Sequence, residues 1–133
     1  VVLAAEIRGV IMVFEDILVP LMETQYRLRG AVLADAEGEM VAKTGLESDA
    51  ADAAALFGAH QGIILMHMAA AGGDACSGKV QELRIRCEHE EWFVFPVTTE
   101  YYLALVGSCG VCIGRARFRI RQCIRQLERE INA

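Results

Sequence analysis

The chain has 133 residues, 54% of them hydrophobic, and a formal net charge of −5. That is the size of one domain able to bury its own core without staples or metals, and the acidic balance excludes a general nucleic-acid binder. The charge is uneven: residues 1–114 carry 16 acidic and 7 basic side chains, whereas 115–133 carry six arginines and two glutamates. This predicts a basic helix on an acidic body, either self-complementary or reserved for an acidic partner.

The opening "VVLAAEIRGVIMVFED" lacks a basic segment before its apolar run and is broken by Glu6 and Arg8, so it does not read as a secretory leader. Leu3, Ile7, Val10, Phe14, Ile17 and Leu21 recur at helical spacing and define one apolar face. Pro20 interrupts it, because an interior proline loses an amide donor and clashes one turn back. Two outcomes fit: a kinked helix, or two helices with Asp16 capping the second.

The period then becomes that of strands. "LRGAVLA" (28–34) and "EMVAKT" (39–44) flank Asp35-Ala36-Glu37-Gly38, a hairpin turn. Asp35 and Glu37 offer half of a calcium loop without its remaining acidic positions.

A long apolar helix follows from about 50 to 71, capped by Ser48 or Asp49 and stopped by Gly72-Gly73. The uncharged stretch 53–71 has the length of a membrane span. His60, Gln61, His67 and the alanine content argue instead for a helix buried by protein on both sides. Ala54, Gly58, Leu65 and Ala69 make one stripe with Gly62 beside it, and Leu56, His60, Ile63 and His67 make the opposite one. A sheet can cover only one of these, so the other needs a further cover, and Gly58 and Gly62 would let a second backbone come close. His60 and His67 lie two turns apart, about 10 Å along the axis, which is too far for one metal and suits a core or interface pair.

Three more strands are expected over 79–87, 91–97 and 100–107. In the first, Val80, Leu83 and Ile85 alternate with Gln81, Arg84 and Arg86. It is a candidate edge for strand pairing, with the two arginines as possible edge protection. The last strand is the most apolar and belongs in the centre. Pro96 requires its strand to be interrupted or paired on one side there. Glu88, Glu90 and Glu91 around His89 read as a solvated hairpin tip.

The final helix, about 112–131, buries Ala116, Ile120, Cys123, Ile124, Leu127 and Ile131, with its arginines fanned around the rest. Phe118 falls among the arginines, which marks it, with Arg117 and Arg121, as a partner surface. The arginines form no single stripe and Phe118 is their only aromatic neighbour, so a nucleic-acid platform is disfavoured.

Five cysteines at irregular gaps (Cys76, Cys87, Cys109, Cys112, Cys123) fit reduced thiols in a cytoplasmic protein. Cys109 and Cys112 form a CxxC, readable as a redox dithiol, half of a zinc site or a loop. A thioredoxin context needs more chain after the motif and a zinc site needs four ligands, so the loop is favoured. With no phosphate loop or nucleophile elbow, the expectation is a non-enzyme without cofactor or metal.

The order α-β-β-α-β-β-β-α places the chain in the α+β class with an antiparallel sheet. "GAVLADAEGEMVAKTG" (30–45) resembles the opening hairpin of Roadblock domains, the dynein light chain family with many bacterial members. The Ala-rich helix, the closing strand, the Gly114 turn and "GRARFRIRQCIRQLEREI" (114–131) resemble the rest of that domain, across residues 16–132. The resemblance implies a five-stranded antiparallel sheet with one helix on one face and two on the other, in the Roadblock/profilin-like manner. It also implies a homodimer joined by the third strand and second helix, on which Gly58, Gly62, Leu65, Val80, Leu83 and Ile85 are the candidate contacts. Members regulate or scaffold Ras-like small GTPases or serve as motor subunits, with no catalytic triad.

The expectation is therefore one domain over 1–133 with 1–15 as an N-terminal helical extension, acting as a homodimeric, non-enzymatic module for a small GTPase. A thiol-redox or zinc protein using Cys109 and Cys112 is one alternative. A structural subunit of a larger assembly without a GTPase is another.

Overall fold

The N-terminal apolar periodicity produces α1, Val2–Leu18. In the computed structural model residues 2–45, 60, 64, 67, 79–111 and 113–133 are described. Phe14 and Leu18 of α1 are buried and Ile17 is half-buried, while Val10, expected on the same face, is 54% exposed. The buried set is Phe14, Leu18 and Leu21, one i, i+4, i+7 row, and Val10 falls at its margin. Pro20 resolves into a break. The helix ends at Leu18, and two 3-10 turns, Val19–Met22 and Thr24–Tyr26, carry the chain onward. Pro20 sits in the first turn of the former, where a missing amide costs nothing. Asp16 lies inside α1 and not at a cap, because the break comes two residues later than a cap there would need.

Arg27, in the left-handed region at φ 56°, turns the chain into the sheet. The strands are β1 (Leu28–Asp35), β2 (Met40–Thr44), β3 (Leu83–Arg86), β4 (Glu90–Pro96) and β5 (Tyr101–Ser108), in the order β2-β1-β5-β4-β3. Every neighbouring pair is antiparallel, and β5 takes the centre. At the β1–β2 turn the Asp35 carboxylate accepts hydrogen bonds from the amides of Glu37 (3.0 Å) and Glu39 (2.9 Å), and Gly38 adopts φ 88°. Those bonds occupy Asp35 in an Asx turn.

Pro96 closes β4 opposite Tyr102 of β5. The β3–β4 ladder ends at Leu83 and Val94, so the residue without an amide donor is paired on one side only. This also explains why β3 is shorter than the 79–87 expected: its continuation would have to pair with a proline.

The final helix, α2, runs Ile113–Ile131 and buries Ile113, Ala116, Ile120, Cys123 and Leu127. Together α1 and α2 cover one sheet face, packing on Leu28, Ala31, Leu33, Phe93, Phe95, Leu103 and Leu105. The other face is equally apolar. Val32, Ala34, Trp92, Val94, Tyr102, Ala104 and Val106 are buried there, with Val80, Leu83, Ile85 and Cys87 packed against them. Burial on both faces is why the inner strands read as near-continuous apolar runs.

The helix expected over 50–71, with its caps, lies outside the described residues except at three positions. His60, Ile64 and His67 are helical and exposed, so the two histidines are not a core pair within one chain. No described helix is long and apolar enough to cross a membrane.

Candidate interaction surface

Among the described residues β2 and β3 are the outer strands, and no described strand pairs with the outer side of β3. Alternation sends its side chains two ways. Leu83 and Ile85 go to the second face, half-buried beside Trp92 and Val94, with Val80 just before them. Arg84 and Arg86 go to the helix-covered face, where they meet Glu91.

Glu91 is the one charged residue among the described residues whose side chain is fully buried. Its Oε2 accepts Nε (2.9 Å) and Nη2 (2.7 Å) of Arg84, and its Oε1 accepts Nε of Arg86 (3.0 Å) and the Gly110 amide (3.2 Å). The Arg84 hydrogen bonds, then the Gly110 amide, hold its carboxyl below the usual carboxylate range against the opposing effect of burial, and the charges of Arg84 and Arg86 add to this. Arg84 also stacks over Phe93, 5.2 Å from the ring centre. Glu91 is thus no part of a solvated tip. It alternates with Phe93 and Phe95 on β4, so its side chain points into the same packed layer as theirs. The spacing Glu91, Phe93, Phe95 carries that signal in the sequence. Glu88 and His89 are exposed at the tip as expected, while Glu90 is half-buried with its carboxylate accepting the Trp92 indole (3.3 Å).

Gly110 belongs to the CxxC turn between β5 and α2. The exposed Cys109 thiol donates to the carbonyls of Cys87 (3.3 Å) and Glu88 (3.2 Å), tying that turn to the β3–β4 hairpin. Cys112 lies outside the described residues. Among the described residues no cluster of three His, Cys, Asp or Glu is placed to hold a metal. Cys123 faces the core, where burial pushes its thiol up to about 12.

On α2 the arginines divide by flank. Arg117 reaches Glu82 at 3.4 Å, and with Arg121 and Ile124 it lines an open groove of about 270 Å³ between α2 and the residues entering β3. Arg119 turns to the opposite flank, bonding Gln122 (3.3 Å) and pairing with Glu23 (3.7 Å). Phe118 projects outward and is 70% exposed. The structure therefore brings Arg117 and Arg121 together beside the open edge and sets Phe118 on the outer face next to them. Of the other candidate contacts, Val80, Leu83 and Ile85 converge at the β3 edge, while Gly58, Gly62 and Leu65 lie outside the described residues.

The family model for the Roadblock/LC7 domain matches residues 14–107. The chain belongs to the Roadblock/LC7 family. Solved structures agree on the fold. The Roadblock/LC7 domain from Streptomyces avermitilis matches with TM-score 0.73 at 16% identity, covering 90% of this chain and 98% of that one. The gliding protein MglB of Thermus thermophilus matches with TM-score 0.71 at 18% identity, over 91% of this chain and 90% of its own. MglC of Myxococcus xanthus gives 0.65 at 16% identity, over 89% and 98%. At such identities the likeness is one of fold. No curated protein matches the chain by sequence. The five-stranded antiparallel sheet with α1 and α2 on one face is thus the α+β fold of a Roadblock domain.

Proposed function

We propose that this Roadblock domain is a homodimeric, non-enzymatic, cytoplasmic interaction module that regulates or scaffolds a Ras-like small GTPase. The observation that carries the reading is the open edge of β3. Among the described residues its outer backbone groups, beside Leu83 and Ile85, pair with no other strand, the form of surface that accepts a second strand. A second copy of β3 is the occupant, with Gly58, Gly62 and Leu65 of the 50–71 segment meeting their counterparts. Exposure of Ile64 (46%) on that segment supports such a contact.

The matches to MglB and MglC, and one to an MglB structure described as a tetrameric arrangement, support a self-associating regulatory role. Residues 1–133 act as one domain, with 1–15 as a helical extension. The partner is met by Arg117, Phe118 and Arg121, and its nucleotide state is read by surface fit, without a catalytic group supplied from this chain. Any change in hydrolysis comes from holding the GTPase's own switch residues.

Two measurements test this. Light scattering coupled to gel filtration should give a dimer mass that falls to a monomer for Leu83→Arg with Ile85→Arg. Titration with purified Ras-like GTPases from the same source, loaded with GDP or a non-hydrolysable GTP analogue, should show state-dependent binding. A monomeric wild type, or equal weak affinity for both nucleotide states across those GTPases, refutes the reading.

A further inference from the structure

Helices α1 and α2 lie side by side on one sheet face, so their outer surfaces look the same way. Those surfaces are unusually apolar for solvent contact: Met12 (62% exposed), Val13 and Val19 on the α1 side, and Phe118 on α2. They also differ in sign. The α1 helix carries Glu6, Glu15 and Asp16 against Arg8, whereas α2 carries six arginines against Glu128 and Glu130. Within the protomer Arg117 and Arg119 find carboxylates, at Glu82 and Glu23. Arg115, Arg121, Arg125 and Arg129 form no ion pair among the described residues.

We propose that this helical face is a second self-association interface, on which two copies of the chain meet about a two-fold axis, each laying its acidic α1 on the other's basic α2. An acidic-apolar strip beside a basic-apolar strip is self-complementary under a two-fold rotation, which closes the contact and leaves neither strip exposed. The register follows from the packing within one chain. The Cys123 thiol lies 3.7 Å from the Ile17 carbonyl and Arg119 pairs with Glu23, so α1 and α2 run antiparallel. An axis along the helices keeps each residue at its own height and exchanges the two strips. Asp16 of one copy then faces Arg125 of the other, and Phe118 covers the 3-10 segment that follows α1. This face is on the opposite side of the sheet from the half-buried Leu83 and Ile85, so it acts independently of pairing at the β3 edge. It shares Phe118 with the surface proposed for the GTPase, so the second copy and the GTPase compete for it.

The test is sedimentation velocity on the full chain across protein concentration and salt. The expected result is a particle whose mass halves on dilution or at high salt, because the contact is partly ionic. Phe118→Asp and Met12→Asp should each halve the mass under conditions where the wild type associates. Arg125→Glu should weaken association about tenfold, and adding Asp16→Arg should restore it.

Unchanged masses for Phe118→Asp and Met12→Asp, in variants with wild-type circular dichroism and urea midpoints, overturn the proposal. So does a charge swap that fails to recover. If either aspartate variant does not fold, the salt dependence of the wild type and the charge swap decide the matter. Should Phe118→Asp abolish binding of a small GTPase while leaving the mass unchanged, the face belongs to that partner and the self-association is refuted. The Leu83→Arg, Ile85→Arg variant separates the two interfaces, since it removes edge pairing and leaves the helical face intact.

Discussion

Ile120 and Phe118 lie two positions apart on α2, 1% and 70% exposed, and replacing each by alanine separates core from surface within a single helical turn. Ile120 packs among Phe95, Ala116 and Leu127 in the layer between sheet and helices. Ile120→Ala removes three buried carbons, about 0.8 kcal/mol each, or about 2.4 kcal/mol before the cavity is counted. Incomplete collapse of the site brings the expected loss to about 3 kcal/mol. Phe118→Ala forfeits only the small buried fraction of the ring, about 0.7 kcal/mol, and alanine returns about 0.5 kcal/mol of helix propensity, for a net change within about 0.5 kcal/mol. Urea denaturation followed by far-ultraviolet circular dichroism measures both. Both variants are compared at a protomer concentration and salt at which contact through the helical face is dissociated, because self-association through Phe118 would add to apparent stability. A Phe118→Ala loss above about 1.5 kcal/mol, or an Ile120→Ala loss below about 1 kcal/mol, would mean that α2 is rotated from the orientation described.

Gly107→Ala places a Cβ 2.7 Å from Cγ2 of buried Val111 and 3.2 Å from the Arg27 carbonyl oxygen. It should cost about 1–3 kcal/mol, with less than additive loss when Val111→Ala is combined, measured as a double-mutant cycle. Glu91 has a folded-state pKa below its unfolded value, so in acid the unfolded chain binds the proton more readily and stability falls. Its contribution is full above the unfolded carboxylate pKa, near 4.5, and is lost as pH falls through the depressed folded value. Glu91→Gln should flatten this acid arm in urea midpoints taken against pH; an unaltered arm would show that the clasp does not titrate with folding. Alkylation at neutral pH followed by peptide mapping should modify exposed Cys109 early, while Cys123, buried with its thiol pushed up to about 12, reacts only on unfolding. Equal rates at the two would contradict the placement of Cys123 in the core.

Much of this fold is legible in the sequence where one physical rule acts alone. Period-two apolar runs around an Asp-to-Gly turn mark β1 and β2, and the absence of charge in residues 101–107 puts β5 at the centre. On α2 the helical period separates the apolar positions from the arginines, with Phe118 on the arginine side. The misses occur where tertiary context decides between local options. Val10 and Leu18 have equal claims on a helical wheel, and only the position of the sheet selects Leu18. Glu91 reads as polar by composition, yet its alternation with Phe93 and Phe95 points inward. It is tolerated because Arg84, Arg86 and a backbone amide satisfy it from segments outside its own strand. Strand β3 reads too long in the sequence because its limit lies in its partner, at Pro96, and not in its own residues. The interaction surface is legible as residue types but not as a place: Arg117 reaches Glu82 at the entry to the edge strand and Arg121 lines the same groove, sequence-distant from β3, and no helical period contains that information.

The carboxylate of Glu91 joins three parts of the chain at one point: the edge strand through Arg84 and Arg86, its own strand, and the turn before α2 through Gly110. Parting any one from the others leaves a buried charge short of donors, so the three open together or not at all. In hydrogen–deuterium exchange the Gly110 amide, though it sits in an exposed turn, should exchange with the amides of β3 and not with the turn residues beside it. An edge strand of only four residues thereby acquires the opening free energy of a larger cooperative unit. A partner strand meeting β3 would find a surface already ordered, with little entropy left to lose on docking.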